Sequence, residues 1–185
     1  REGRTPQEVA YDLLLADGGE GMLYRPLYNY ADRNLDVVHE MMAAPDTLLG
    51  LSDGGAHYGY ICDASFPTYL LTHWTRDRAR GGRMPLEQAV RRQTLATAAA
   101  VGLRDRGLVA CGYKADLNVI DMTRLALERP RVVHDLPAGG RRLAQRAAGY
   151  VATIVTGEVT YRAGEATGAL PGRLVRRGRG ARTRA

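Results

Sequence analysis

The stretch Leu48-Leu49-Gly50-Leu51-Ser52-Asp53-Gly54-Gly55-Ala56-His57 constrains the fold of this chain more than any other, because a short apolar run stops abruptly in an acid, two glycines and a histidine. Such a run, bounded by turn residues, reads as a buried strand of a parallel sheet covered by helices on both faces. Asp53 would then stand at the carboxyl end of its strand. In open parallel sheets and in closed α/β barrels alike, ligands and catalytic groups gather at that edge. Gly54 and Gly55 let the backbone turn there without a Cβ to crowd a ligand. A second reading fits the same residues, in which Asp53 only starts an Asx-turn or caps a helix.

The segments around this stretch repeat a helix–strand rhythm. Thr5-Pro6-Gln7-Glu8 is a capping box with proline at the first helical position; Val9, Leu13 and Leu14 follow on one face, and Asp17-Gly18-Gly19 ends the helix. Met22 to Tyr30 alternates imperfectly around Pro26 and is expected to be a strand that carries Asn29 and Tyr30 toward the same mouth as Asp53; a tyrosine-rich packed loop fits equally well. A second helix begins near Asn34, turns Leu35, Val38, Met41 and Met42 inward, and stops before Pro45. Ser65 is placed to cap a third helix containing Tyr69, Leu70 and Trp74, with Gly81-Gly82 after it. Pro85 opens a fourth, and an alanine-rich turn runs on to Gly102.

Beyond Asp105-Arg106-Gly107 the pattern changes to short segments punctuated by glycine. Ala115 to Asp121 reads as a strand, and residues 122–149 read as a linking piece containing Pro130, Pro137 and Gly139-Gly140. Tyr150–Thr156 and Val159–Arg162 alternate with period two on either side of Thr156-Gly157-Glu158, a hairpin signal.

Charge narrows the class of partner. The net charge of +6 equals the six arginines at 173, 176, 177, 179, 182 and 184, a cluster without an acid. What precedes it is balanced and carries no aromatic-interleaved basic stripe, so no nucleic-acid partner is expected and the cluster reads as a solvated tail. There is no apolar run of about 18 residues and no signal-peptide pattern, so no membrane partner is expected either. Cys62 and Cys111 are too far apart for a redox or zinc motif, and two lone cysteines fit a reducing, cytoplasmic compartment. The histidines at 39, 57, 73 and 134 show neither HxH nor HExxH spacing. His39 and His73 read as surface and structural residues, His134 has no evident role, and His57 fits either a hydrogen-bonded structural place or one beside a substrate.

Ser52-Asp53-Gly54-Gly55-Ala56-His57, Asp63-Ala64-Ser65-Phe66-Pro67-Thr68-Tyr69-Leu70-Leu71, Leu86-Glu87-Gln88-Ala89-Val90, Gly102-Leu103, Asp105-Arg106-Gly107 and Ala115-Asp116-Leu117 occur in that order. Together the series resembles the C-terminal part of the D-aminoacylase, or N-acyl-D-amino-acid deacylase, branch of the amidohydrolase superfamily. The resemblance implies an α/β fold: the last βα units of a metal-dependent-hydrolase (β/α)8 (TIM) barrel over residues 1–104, a small β-sandwich subdomain over 105–172, and a basic tail over 173–185. It implies a zinc-dependent enzyme, with one or two Zn2+ held mostly by ligands upstream of this chain, that hydrolyses the acyl amide of an N-acyl-D-amino acid. Asp53 matches the family's catalytic aspartate and metal ligand at the end of the last barrel strand, and Ser52, Gly54 and His57 would line the substrate.

On this reading the chain needs the missing N-terminal part of the same barrel and is inactive alone; the whole protein takes a small-molecule substrate and could form a homo-oligomer. Two other activities stay open: a cyclic-amide hydrolase of dihydroorotase or hydantoinase type, and a non-catalytic relative with a structural or interaction role.

Overall fold

The structure is a computed structural model that describes residues 3–26, 28–50, 55 and 57–175. Its helices are α1 (Pro6–Gly19), α2 (Asp36–Ala43), α3 (Phe66–Tyr69), α4 (Leu86–Gln93) and α5 (Leu95–Ala100). A π-helical segment, Leu70–Asp77, continues directly from α3.

Local chemistry explains α1. The Thr5 side chain accepts from the Glu8 amide at 3.3 Å, and the Glu8 carboxylate accepts from the Thr5 amide at 2.7 Å, so the expected capping box is formed. Asp17 and Gly18 then turn left-handed, with φ of 54° and 71°, and end the helix. The apolar face expected to be buried is not: Val9, Leu13 and Leu14 are all exposed.

The core collects around the π-helical segment instead. Leu70, Leu71 and Trp74 pack with Met42 of α2, Ala89 of α4, Met84 and the fully buried Leu125, while Leu35, Val38, Ile120, Met122 and Tyr150 close the edges. Arg76 ties this segment to the strand-rich region, donating to the carbonyls of Met122 at 2.5 Å and Leu125 at 2.9 Å. Arg92 of α4 donates to the carbonyls of Ala43 and Ala44 at 3.2 and 3.0 Å, satisfying acceptors that the end of α2 leaves open.

Arg78 is buried at 5% exposure, with its guanidinium 4.6 Å from the centre of the Trp74 ring and paired to Asp36 at 2.6 Å. A buried cation is tolerated only with such partners. His39 stacks on the same indole at 6.0 Å between ring centres, and His73 meets it edge-on at 5.0 Å, so His39 is not the free surface residue its polar neighbours suggested.

Eight short strands follow: β1 (Leu117–Ile120), β2 (Ala126–Leu127), β3 (Arg131–Leu136), β4 (Gly140–Ala144), β5 (Ala147–Ala148), β6 (Tyr150–Val155), β7 (Glu158–Arg162) and β8 (Glu165–Ala166). They form a four-stranded sheet in the order β1-β6-β7-β8 and two ribbons, β2-β5 and β3-β4, every ladder antiparallel. The β6–β7 hairpin stands where alternation placed it. Its two turn residues, Thr156 and Gly157, have φ of 53° and 83°, the pair of positive angles whose twist matches the flanking strands.

The ribbons nest into one arm from 126 to 148, and the amide of Glu128 donates to the carbonyl of Arg146 at 2.9 Å across the gap between them. Residues 122–149 are therefore a hairpin arm and not a plain link. Pro130, which lacks an N–H, falls in the break between β2 and β3.

Two expected strands are not found among the described residues. Residues 22–26 and 28–30 form no ladder, and neither do Leu48, Leu49 and Gly50, where Leu48 is exposed and Leu49 packs against the core edge. The rest of that second expected strand lies outside the described residues. A parallel strand is held by neighbours on either side, and among the described residues before 117 there is no strand to pair with. The barrel is accordingly not assembled in the described residues.

Gly149 packs closely against the backbone at Leu125. It has φ of +94°, and a Cβ there would sit 2.5 Å from the Cα of Leu125. Gly149→Ala is expected to destabilise the protein by roughly 3 kcal/mol or more, because left-handed strain adds to a backbone clash at a fully buried residue. A urea titration checks it; an unchanged midpoint would show that this crossing is loose.

Candidate active site at the loop 55–65

Of the residues singled out by sequence, Ser52, Asp53 and Gly54 lie outside the described residues, and His57 lies within them. The described residues nearest to them in sequence belong to the loop that continues from Gly55. Gly55 has φ of +113°, a conformation open to glycine and strained for other residues. Two residues on, His57 is left-handed at φ 52°, and its carbonyl accepts from the amides of Tyr60 and Ile61, both at 3.0 Å. That turn leaves the His57 ring exposed, tilted against Tyr60 at 5.3 Å between ring centres. Among the described residues no carboxylate pairs with this exposed imidazole.

Downstream, Asp63–Ser65 forms a single 3₁₀ turn leading into α3. Ser65 does not cap α3 as expected. Its hydroxyl instead donates to the side-chain carbonyl of Gln145 at 2.6 Å, 80 residues away in the chain. The Gln145 amide donates in turn to the carbonyl of Glu128 at 2.8 Å, and the Leu143 amide donates to the carbonyl of Tyr58 at 2.7 Å. Thr68 and Tyr150 share a further hydrogen bond at 2.8 Å.

Between the loop and the arm lies a cleft of about 220 Å³, with Ile61, Leu127, Leu143 and Ala147 among its apolar lining and Cys62, Asp63, Ser65, Arg142 and Gln145 among its polar one. Gly55 lines it too, which sets the cleft beside the loop's entry. Arg142 is held by Asp135 through two hydrogen bonds of 2.7 and 2.6 Å, and that guanidinium keeps the Asp135 carboxyl below its usual range. Burial, then the neighbouring Asp63 carboxylate, push the Cys62 thiol up. The Cys62 thiol is thus less ready to ionise than a free cysteine.

The other histidines are engaged elsewhere. His73 stacks on Tyr69 at 4.8 Å, and burial, followed by the Arg78 charge, holds its imidazole below the ordinary 6.5 despite Asp77 nearby. His134 Nδ1 meets the Gly139 carbonyl at 3.2 Å. Among the described residues no three histidine, cysteine, aspartate or glutamate side chains converge as a metal site. Those residues do not make a metal cage. Nor is any helix among them long and apolar enough to cross a membrane.

Sequence reasoning missed Leu143 and Gln145. They lie about 80 residues beyond the loop they hold, where no periodicity or motif links the two.

Comparison with known proteins identifies a family and several relatives of this chain. A family model described as "Amidohydrolase family" matches residues 10–161. Uncharacterised proteins of Mycobacterium tuberculosis and Mycobacterium bovis are each 31% identical over 170 residues, covering 88% of this chain and 27% of theirs. A D-aminoacylase of Alcaligenes xylosoxydans xylosoxydans is 34% identical over 142 residues, covering 76% of this chain and 27% of that enzyme. The chain thus spans about a quarter of the length of the curated relatives it matches. No solved structure matches it.

Proposed function

The chain belongs to the amidohydrolase family, and from that premise we propose that it is the C-terminal portion of a metal-dependent hydrolase cleaving the acyl amide of N-acyl-D-amino acids in the cytoplasm. The observation that carries the proposal is the family match over residues 10–161, a span that contains both Asp53 and the whole 55–65 loop. The partial likeness to a D-aminoacylase supports the choice of substrate class. Residues 1–104 are assigned to the last βα units of a barrel, 105–172 to a small β subdomain and 173–185 to a basic tail. The helices of 6–100 and the strands of 117–166 support that division.

In this proposal Asp53 is a metal ligand that this chain contributes, and most of the others lie upstream. A bound zinc would supply a water with a pKa near about 7. Asp53 accepts the proton of the attacking water and returns it to the departing amine nitrogen, which leaves poorly without it. His57 faces the substrate from the exposed turn of the loop. The exposed apolar side chains of α1, Val9, Leu13 and Leu14, give the upstream part of the barrel a surface to cover.

The test is hydrolysis of N-acetyl-D-methionine by the full-length protein with added zinc, beside the L-isomer. Cleavage of the D-isomer at a kcat/KM at least tenfold above the L-isomer is expected. If metal binds and neither isomer is cleaved, the substrate assignment falls.

A further inference from the structure

The bonds between the loop and the arm carry a consequence for the reaction. Three of them cross from the loop and α3 to the strand-rich region: Leu143 to Tyr58, Ser65 to Gln145, and Thr68 to Tyr150. Gln145 is the first of the two residues between β4 and β5, and its side chain has both ends engaged, one on Ser65 and the other on the Glu128 carbonyl. Ser65 and Gln145 are both half-buried, which partly shields the hydrogen bond between them from water, whereas the one to Glu128 is exposed. The loop held in this way contains His57, whose carbonyl organises the turn, and it borders the cleft entered at Gly55.

We propose that Gln145 is a positioning residue: acting through Ser65, it fixes the 57–65 loop beside the substrate, so that the strand-rich arm sets the rate of a reaction whose chemistry is carried by other residues. This rests on the hydrolase reading above. Gln145 touches no reacting atom in the proposal; it works by holding geometry. Misplacement of a substrate-positioning segment by about 1 Å can cost on the order of 100-fold in rate.

The experiment uses the full-length protein and four forms: wild type, Ser65→Ala, Gln145→Ala and the double variant. Each single variant is expected to lose about 10- to 100-fold in kcat, with KM changed less than about threefold, and the double variant is expected to be no worse than either single one, as for two groups acting through one bond. Gln145→Glu, which keeps an acceptor for Ser65 and places a carboxylate against the Glu128 carbonyl, is expected to recover only part of the loss.

A second readout is independent of turnover. Hydrogen exchange at the amides of Tyr60, Ile61 and Leu143 is expected to accelerate in every variant, while exchange in the core around Trp74 is unchanged. Wild-type kcat and unaltered exchange in Gln145→Ala would overturn the proposal, and so would strictly additive losses in the double variant. If wild type hydrolyses no amide but loop exchange still rises, the substrate reading fails while Gln145 keeps its hold on the loop.

Discussion

Asp53→Asn in the full-length protein is expected to lower kcat for hydrolysis of an N-acyl-D-amino acid by about 100- to 10,000-fold, the range over which a positioned general acid–base group contributes. Asparagine keeps the shape of the side chain and removes the proton acceptor. The attacking water then has no carboxylate to take its proton, and the leaving amine has none to supply one. KM is expected to change little, because the lost interaction is made in the transition state and not with the bound substrate. Metal content measured on the same preparation separates two roles of the residue: retained metal with lost turnover isolates the proton transfer, whereas lost metal places the main effect on ligation. Turnover within a factor of about three of wild type, with metal retained, would remove Asp53 from the mechanism.

Trp74→Ala is expected to destabilise the protein by about 3–5 kcal/mol, the usual cost of truncating a buried aromatic. Trp74 is 4% exposed and touches chemistry on several sides: His39 and His73 against its ring, the Arg78 guanidinium over it, and the core residues Met42, Leu70, Leu71 and Met84 beside it. Truncation also strips the buried Arg78 of its aromatic partner and leaves the Asp36 ion pair and the Arg80 carbonyl to hold that charge. Trp74→Phe keeps a ring for Arg78 and is expected to cost markedly less. Urea unfolding of both variants decides the matter; equal midpoints would show that packing at this position is incidental.

The same cluster gives stability a pH dependence with a defined sign. His73 is held below its ordinary 6.5 by burial and by Arg78, so the unfolded chain binds a proton there more readily than the folded one. The contribution is therefore fully present above about 6.5 and is lost as pH falls from that value through the lower folded one.

Where both partners of an interaction lie within a few residues of each other, the chain could be read directly. The Thr5–Glu8 capping box needs groups three residues apart, and the Thr156-Gly157 turn needs only its own two backbones. The expected helices near 34 and 85 were legible for the same reason, since a helix satisfies its amides internally. The resemblance of Ser52-Asp53-Gly54-Gly55 and the segments after it likewise led to the family that the comparisons identify.

Where the partner lies far along the chain, the sequence was silent or misleading. The apolar run at Leu48–Leu51 has the composition of a buried strand, yet Leu48 to Gly50 form no ladder with any described residue, because a strand's hydrogen bonds belong half to its neighbour. Residues 122–149 looked like a link because Pro130 and Gly139-Gly140 break their periodicity, and only the pairing of β3 with β4 and of β2 with β5 makes them an arm. Trp74 could be named as a core candidate, but that its indole sits under Arg78, itself paired to Asp36 42 residues earlier, is a fact of packing.

The sequence by itself determined the segments whose stabilising partners are local: the capped first helix, the 150–162 hairpin, and the motif series that names the family. Only the tertiary structure decided that the core gathers on the π-helical segment 70–77 and that Gln145 reaches Ser65. Contacts between residues some 40 to 80 apart depend on where whole segments settle, and no local spacing encodes that.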